Sequence, residues 1–169
     1  PLTLFTPSSL LIALSMAPHT VTEHFQTAIP AAKLFQTVAC DGYKLLPQMV
    51  PDVFASIQAV EGGGGPGTIY LIKFADGTSA KSRLDVLDKA GLLHKYTFVD
   101  GETLKAKNLE SVTVEVKLEA TPDGKCKGTE TVTFCPKAGA DFKVEEMKEE
   151  KLKSRAIFQK VEAYLQAHP

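Results

Sequence analysis

The chain has 169 residues, a formal net charge of -1 and a pI near 6.5, so it lacks the positive field expected of a nucleic-acid-binding protein. Apolar residues make up 44% and charged residues 23%, the balance of an ordinary globular protein, and the length fits one domain. The longest apolar stretch, residues 10–17, is too short to span a bilayer, which excludes a membrane-spanning protein.

Residues 1–15 contain neither Lys nor Arg, so they lack the basic start of a signal peptide. We expect this stretch to be a non-native N-terminal extension, with the natural start at Met16. A truncated signal peptide is the alternative interpretation. Residues 16–169 are then expected to form a single domain.

The first half of the domain predicts one strand followed by two short helices. Residues 19–27 are rich in Thr, Val and Phe, which is typical of a strand. Pro30 suits a helix start, and apolar residues at helical spacing predict a helix over 31–38. A second short helix is predicted over 43–50, and Pro51 ends it.

Six further segments have the alternation or the flanking turns of β-strands. They cover residues 54–61, 68–74, 79–88, 92–100, 109–120 and 127–135. Turn signals such as Asp76-Gly77 and Pro122-Asp123-Gly124 separate several of them. Consecutive short strands joined by turns favour an antiparallel sheet.

The last element predicted is a long helix over residues 144–168. Its acidic residues crowd the first turn, as the helix dipole favours. An apolar stripe passes through Val144, Met147, Phe158, Val161 and Leu165. In the middle, the stripe runs through the polar Lys151 and Ser154, as expected of a helix that covers a cavity and packs on the sheet only at its ends. Alternatively, Lys151 extends to solvent beside an ordinary core.

The glycine-rich segment Glu61 to Thr68 contains Gly62, Gly63, Gly64, Gly65, Pro66 and Gly67. A phosphate-binding loop requires Lys and then Ser or Thr after its last glycine, and a helix behind it. Here Thr68 and Ile69 follow, and the segment leads into a predicted strand. The pattern therefore favours a tight or mobile hairpin loop over a nucleotide site.

Four dispersed segments resemble the class-ten pathogenesis-related plant proteins, the family of the major birch-pollen allergen. They are Ile29 to Phe35, the glycine-rich segment, Ala120 to Gly124, and Val161 to Leu165. The resemblance runs from about residue 16 to the end. It implies an α+β fold in which a seven-stranded antiparallel sheet curls around a long C-terminal helix, two short helices close one end, and an internal cavity remains.

The resemblance also implies that the cavity binds apolar or amphipathic plant molecules such as cytokinins, brassinosteroids and flavonoids. Strand alternation then assigns an inner face to the sheet. Val86, Val112 and Leu118 are expected on that face. The candidate ligand-binding residues are Tyr70, Ile72, Phe74, Leu84, His94, Tyr96, Phe98, Val114, Val116, Glu130, Val132, Phe134, Lys151 and Ser154. Glu130 among apolar neighbours has to pair, with His94 or Lys151 as the candidates, be protonated or lie near an opening. Otherwise the opposite face of that strand points inward.

Three functions are compatible with these residues. A non-catalytic binding or carrier protein needs only the cavity and is favoured. An enzyme of specialised metabolism, catalysing condensation, cyclisation or isomerisation, would use Tyr70, His94, Tyr96 and Glu130 as acid and base. A weak ribonuclease would use Glu110, Glu162, Tyr164 and the glycine-rich loop, although the lysine beside that loop in the birch protein is Tyr70 here.

The remaining expectations concern setting and partners. The cysteines Cys40, Cys126 and Cys135 are odd in number and fit neither a disulfide framework nor a metal site, which favours a reducing, cytoplasmic setting. The histidines lack metal-ligand spacing, so we predict no metal and no cofactor. We expect a monomer with a small-molecule partner, and neither a nucleic acid nor a membrane as partner.

Overall fold

The computed structural model describes residues 17–169. Its framework is one antiparallel sheet of seven strands in the order β1-β7-β6-β5-β4-β3-β2. The predicted extension over residues 1–15 lies outside the described residues. The strands are β1 (His19–Thr27), β2 (Phe54–Glu61), β3 (Ile69–Phe74), β4 (Ser79–Asp88), β5 (Leu93–Gly101), β6 (Leu109–Ala120) and β7 (Cys126–Pro136).

Within residues 17–169, four α-helices accompany the sheet. Two short ones follow β1: α1 (Ala31–Phe35), which continues as a π-helical turn over Gln36–Cys40, and α2 (Gly42–Met49). A five-residue helix, α3 (Glu102–Ala106), links β5 to β6, and the sequence pattern did not predict it. The long C-terminal helix is α4 (Val144–Ala167). The predicted fold, a curled sheet with one long helix and two short helices at one end, is confirmed.

The two faces of the sheet differ in chemistry because side chains alternate along each strand. On the outer face, threonines of β1 and β7 meet in hydroxyl pairs, Thr20 with Thr133 and Thr22 with Thr131. The intervening residues of both strands therefore point to the inner face. The side chains of β7 that face inward are those of Glu130, Val132 and Phe134, as the sequence predicted.

Two separate hydrophobic clusters join the inner face to the helices, one at each end. The first cluster combines α1, α2 and the end of α4, where Val161 and Leu165 are buried with Leu118 of β6. The second cluster buries Met147, near the start of α4, against Phe134 of β7. Helix α4 is about 36 Å long at 1.5 Å per residue, so its two anchors are well separated.

Two of the residues assigned to the interior lie elsewhere. Val86 pairs with Lys95 and faces outward, because a bulge between Leu84 and Val86 adds a residue to β4 and reverses the alternation. Leu87, which pairs with His94, takes the inner position. Val144 begins the apolar stripe of α4 but is 53% exposed, because the helix starts there before it reaches the sheet.

None of the helices in the described part of the chain is long and apolar enough to cross a membrane. The same residues contain no group of His, Cys, Asp and Glu side chains that could hold a metal ion.

Candidate functional site

A row of four inward-facing residues crosses the sheet between the two hydrophobic clusters. His94 of β5 pairs with Val116 of β6, which pairs with Glu130 of β7, which pairs with Glu23 of β1. Paired residues of neighbouring antiparallel strands share one face, so all four point inward. The register thus places two carboxylates side by side on the inner face.

The polar stretch of α4 lies over this row. The Lys151 ammonium forms an ion pair with Glu23 at 2.5 Å, while much of the lysine side chain stays exposed. The Ser154 hydroxyl acts on Glu130 as a hydrogen-bond donor. Lys151 is therefore near solvent, as one interpretation of the polar stretch expected, and its ammonium also reaches the inner face.

Burial shifts the proton affinities of three groups in this region. It lowers the pKa of His94 from 6.5 to about 4, so the imidazole is neutral at pH 7. It also raises the pKa of Glu130, the charge of Glu23 raises it further, and the Ser154 hydrogen bond opposes both. The pKa of Tyr96 is raised, first by burial and then by the charge of Glu130. The environment therefore favours the neutral form of each of these three side chains. It disfavours the ionised form of Glu130.

Next to this row, β5 presents a ladder of three rings. The centroids of His94 and Tyr96 lie 5.0 Å apart, and those of Tyr96 and Phe98 lie 5.6 Å apart in an edge-to-face arrangement. No hydrogen bond reaches the Tyr96 hydroxyl from any residue between 17 and 169. A strongly desolvated hydroxyl without a partner is available to a ligand.

The central residues of the inner face keep accessible surface although α4 lies across them. They are only half-buried, although Val116 packs against the first cluster and Phe98, Val112 and Val132 pack against the second, whereas the core residues of both clusters are fully buried. These half-buried residues are His94, Tyr96, Phe98, Val112, Val116, Glu130 and Val132. A side chain in the middle of a covered sheet face retains such surface only where its neighbours leave space beside it.

The other candidates occupy more peripheral positions on the inner face. Phe134 is buried in the second cluster, where it stacks on Phe142 at 5.6 Å. Leu84 and Val114 are buried on either side of Tyr96, with which both pair. On β3, Ile72 is buried. The ring centroids of Tyr70 and Tyr43 lie 6.0 Å apart, and those of Phe74 and Phe54 lie 5.9 Å apart. Strands β4, β5 and β6 separate β3 from β7, which carries Glu130.

Glu23 was not among the site residues predicted from the sequence. Its alternation with Val21 and Phe25 in β1 was visible, and it predicts that these three side chains share a face. That this face is the inner one follows from the contact of Phe25 with Phe158 of α4, at 5.0 Å between centroids. Lys151 contacts Glu23, whereas the sequence had suggested Glu130 as a partner of Lys151.

The glycine-rich loop is a compact hairpin connection between β2 and β3. Thr68 is buried inside it, accepts a hydrogen bond from the Gly64 amide at 2.9 Å and donates one to the Gly65 carbonyl at 2.6 Å. The loop is also tied to β4, through the Gly67 amide and the Leu84 carbonyl at 2.7 Å. These contacts are consistent with a tight structural loop.

The residues that a ribonuclease would need are not brought together. Glu110 follows Leu109, which belongs to the cluster around Met147, whereas Glu162 follows Val161 in the opposite cluster. Met147 and Val161 are 14 positions apart, or about 21 Å along the helix. The Tyr164 ring stacks on His168 at 4.2 Å, at the C-terminal end of α4.

Comparison with known proteins agrees with this architecture. The model of the pathogenesis-related protein Bet v 1 family matches residues 16–168. The chain belongs to the Bet v 1 family. Among the curated Bet v 1 relatives, the major pollen allergen Bet v 1-M/N of Betula pendula is 37% identical over 145 residues, which cover 84% of this chain and 90% of the relative.

Two further allergens are similarly related. The major pollen allergen Car b 1 (isoforms 1A and 1B) of Carpinus betulus is 39% identical over 145 residues, covering 84% of this chain and 90% of the relative. The major allergen Pru ar 1 of Prunus armeniaca is 34% identical over 157 residues, covering 91% and 98%. Each of these matches includes at least 90% of the relative's own length.

Two solved structures share the fold of this chain. The crystal structure of Ara h 8.0201 superposes with a TM-score of 0.80 at 35% identity, covering 89% of this chain and 99% of that one. Norcoclaurine synthase from Thalictrum flavum, solved in complex with dopamine and hydroxybenzaldehyde, gives a TM-score of 0.70 at 18% identity, covering 100% and 98%. At that identity, the likeness to the synthase extends to the fold alone.

Proposed function

We propose that this protein binds apolar or amphipathic small molecules, of the kind represented by plant hormones and flavonoids, between the inner face of its sheet and helix α4. In this proposal it acts in plant defence, in the cytoplasm, as a monomer and without a cofactor. A carrier of this kind needs space, an apolar lining and a few polar groups that orient the ligand.

The observation that supports the proposal most directly is the accessible surface retained at the centre of the inner face. Helix α4 is anchored by Met147 at one end and by Val161 and Leu165 at the other. Val116 packs against the first cluster and Val132 against the second, and both are only half-buried. Apolar surface that the fold itself leaves uncovered gains roughly 25 cal/mol for each Å² that a ligand covers.

The lining is mostly apolar, with polar groups concentrated in one row. Tyr96 and Phe98 supply aromatic surface, while His94, Glu130 and Ser154 supply hydrogen-bonding groups. Apolar contact gives affinity in such sites, and a small number of polar groups gives orientation. The synthase likeness extends only to the fold and lends no support to a condensation reaction, so we propose binding alone.

The test is a fluorescence titration with the neutral dye N-phenylnaphthylamine, whose emission rises in apolar surroundings. We expect saturable binding to the wild type and displacement by cytokinins and flavonoids. Val116→Phe, which adds a ring at the centre of the inner face, should weaken dye binding about tenfold or more because it occupies the proposed space.

The matched control is Val86→Phe, since Val86 is also a half-buried strand valine but lies on the outer face. Circular dichroism and thermal unfolding of both variants establish that each is folded. Absence of saturable dye binding to the wild type, or equal weakening in the two variants, would contradict the proposal.

A further inference from the structure

The proposed ligand site contains more acid than base, and a further inference, which rests on the proposed function, follows from this imbalance. Glu23 and Glu130 are directly opposite each other on β1 and β7. Among residues 17–169, the one ammonium that forms an ion pair with either carboxylate is that of Lys151, and its partner is Glu23. Glu130 is left without a cation.

The other groups around Glu130 cannot neutralise it at pH 7. His94, in the same row, is neutral because burial lowers its pKa to about 4. The Ser154 hydroxyl gives a hydrogen bond but no charge, and Glu23 adds repulsion. A half-buried carboxylate with one neutral donor and an anionic neighbour carries a desolvation cost that no cation offsets.

We propose that Glu130 is the recognition group for a cationic nitrogen, so that the site selects aromatic amines over carboxylates of the same shape. The ligand's ammonium group supplies the positive charge that Glu130 lacks, and it donates a charge-assisted hydrogen bond to the Glu130 carboxylate. A ligand carboxylate at the same position meets the unpaired carboxylate of Glu130, which opposes its binding.

The surroundings of Glu130 fit the rest of such a molecule. The ring ladder of His94, Tyr96 and Phe98 starts in the row of Glu130 and runs toward the second hydrophobic cluster. An aromatic body attached to the nitrogen by a short chain can pack against these rings by edge-to-face contact. The Tyr96 hydroxyl, which the charge of Glu130 influences, has no partner within residues 17–169 and is available as a second polar contact.

The experiment compares three probes of one shape and different charge: naphthylethylamine, naphthylethanol and naphthylacetate. The protein contains no Trp, so naphthyl fluorescence can be followed without an indole background. At pH 7 the wild type should bind the amine about tenfold more tightly than the alcohol, since a hydrogen bond between two charged groups is stronger than one from a neutral hydroxyl. The carboxylate should bind most weakly.

Two variants separate charge recognition from shape. Glu130→Gln keeps the size of the side chain and removes its charge, so the preference for the amine over the alcohol should fall to about one. Lys151→Met removes the ammonium that competes for the acidic pair, so the preference for the amine should rise. The control is Glu115→Gln, because Glu115 is a glutamate of β6 on the outer face, paired with Lys95 at 3.6 Å, and its loss should leave all three affinities unchanged.

The possible results distinguish this inference from the proposed function. If the three probes bind with equal affinity and the neutral dye also binds, the carrier proposal holds and charge selection is overturned. If neither the probes nor the dye binds, the proposed function itself fails. An amine preference that survives Glu130→Gln would also overturn the assignment of Glu130.

Discussion

Thr68 gives a physical reason for the run of glycines beside it. Its side chain is buried and fills the centre of the loop, where it bonds to the backbone at Gly64 and Gly65. The backbone has to turn tightly around this hydroxyl, and Gly62 does so with a φ of 85°. Only glycine adopts that conformation without strain.

The two neighbouring glycines Gly62 and Gly63 should differ in their tolerance of alanine. A Cβ at Gly62 would lie 2.9 Å from the Thr68 hydroxyl and 3.0 Å from its Cα, in addition to the positive φ. Gly62→Ala should therefore lower the free energy of unfolding by about 1 to 3 kcal/mol. Urea denaturation followed by circular dichroism measures the change.

Gly63→Ala is the matched control, since a Cβ there meets nothing within 4 Å. It should leave the stability unchanged or raise it slightly, because alanine restricts the unfolded chain. Equal losses in the two variants would show that the loop is not held in the conformation described here.

At the scale of elements, helix α4 shows how a sequence pattern can predict an arrangement and still misplace a residue. The polar interruption of its apolar stripe was compatible with two anchors and a gap between them, or with a lysine that extends to solvent beside an ordinary core. The two hydrophobic clusters supply the two anchors. The stripe also included Val144, which is exposed. Periodicity identifies the face of a helix, but it does not tell where along its length the helix meets the sheet.

This distinction gives a prediction that compares two valines of α4. Val161→Ala should lower the free energy of unfolding by about 1 to 3 kcal/mol, because Val161 is 2% exposed and its loss leaves a cavity in the first cluster. Val144→Ala should change it by less than about 0.5 kcal/mol, since exposed side chains contribute little. Thermal and urea unfolding of both variants measure the difference, and a Val144→Ala loss comparable to that of Val161→Ala would contradict the anchor positions.

The strands were predicted almost to the residue, because alternation and turn residues are local signals. The errors arose where a local signal is absent. The extra residue in β4 that turns Val86 outward produces no break in the apolar pattern, since Val86 and Leu87 are both apolar. Helix α3 has five residues and too little periodicity to be recognised.

The inward-facing site residue on β7 could be predicted from the sequence, whereas the contact made by the site residue on β1 could not. The clean alternation of threonine with larger residues in β7 assigned Glu130 to the inner face. The ion pair between Glu23 and Lys151 joins residues 128 positions apart, as their numbers show, and depends on where α4 crosses the sheet. A pattern within a single strand carries no information about such a crossing.

For the molecule as a whole, the interior groups make stability depend on pH in opposite directions. A buried histidine that stays neutral in the folded state opposes proton uptake, so it weakens the fold as the pH falls below its unfolded pKa. A buried carboxyl with a raised pKa does the reverse, since folding favours its protonated form. His94 and Glu130 belong to these two kinds, respectively.

The last prediction isolates the contribution of His94. Its pKa falls from 6.5 to about 4 on folding, so its stabilising effect is fully present above pH 6.5 and is lost between pH 6.5 and pH 4. At about 1.4 kcal/mol per pKa unit, the wild type should lose roughly 2 to 3 kcal/mol more than His94→Gln over that interval. Urea unfolding at pH 7, 5.5 and 4 in ligand-free protein measures this difference, and Glu130 contributes equally to both proteins.

The control variant is His24→Gln, because His24 is an exposed histidine on the outer face that forms a hydrogen bond with Thr129. Its stability should follow that of the wild type. Parallel pH profiles for wild type and His94→Gln would mean that His94 is in contact with bulk water, and the enclosed interior would have to be abandoned.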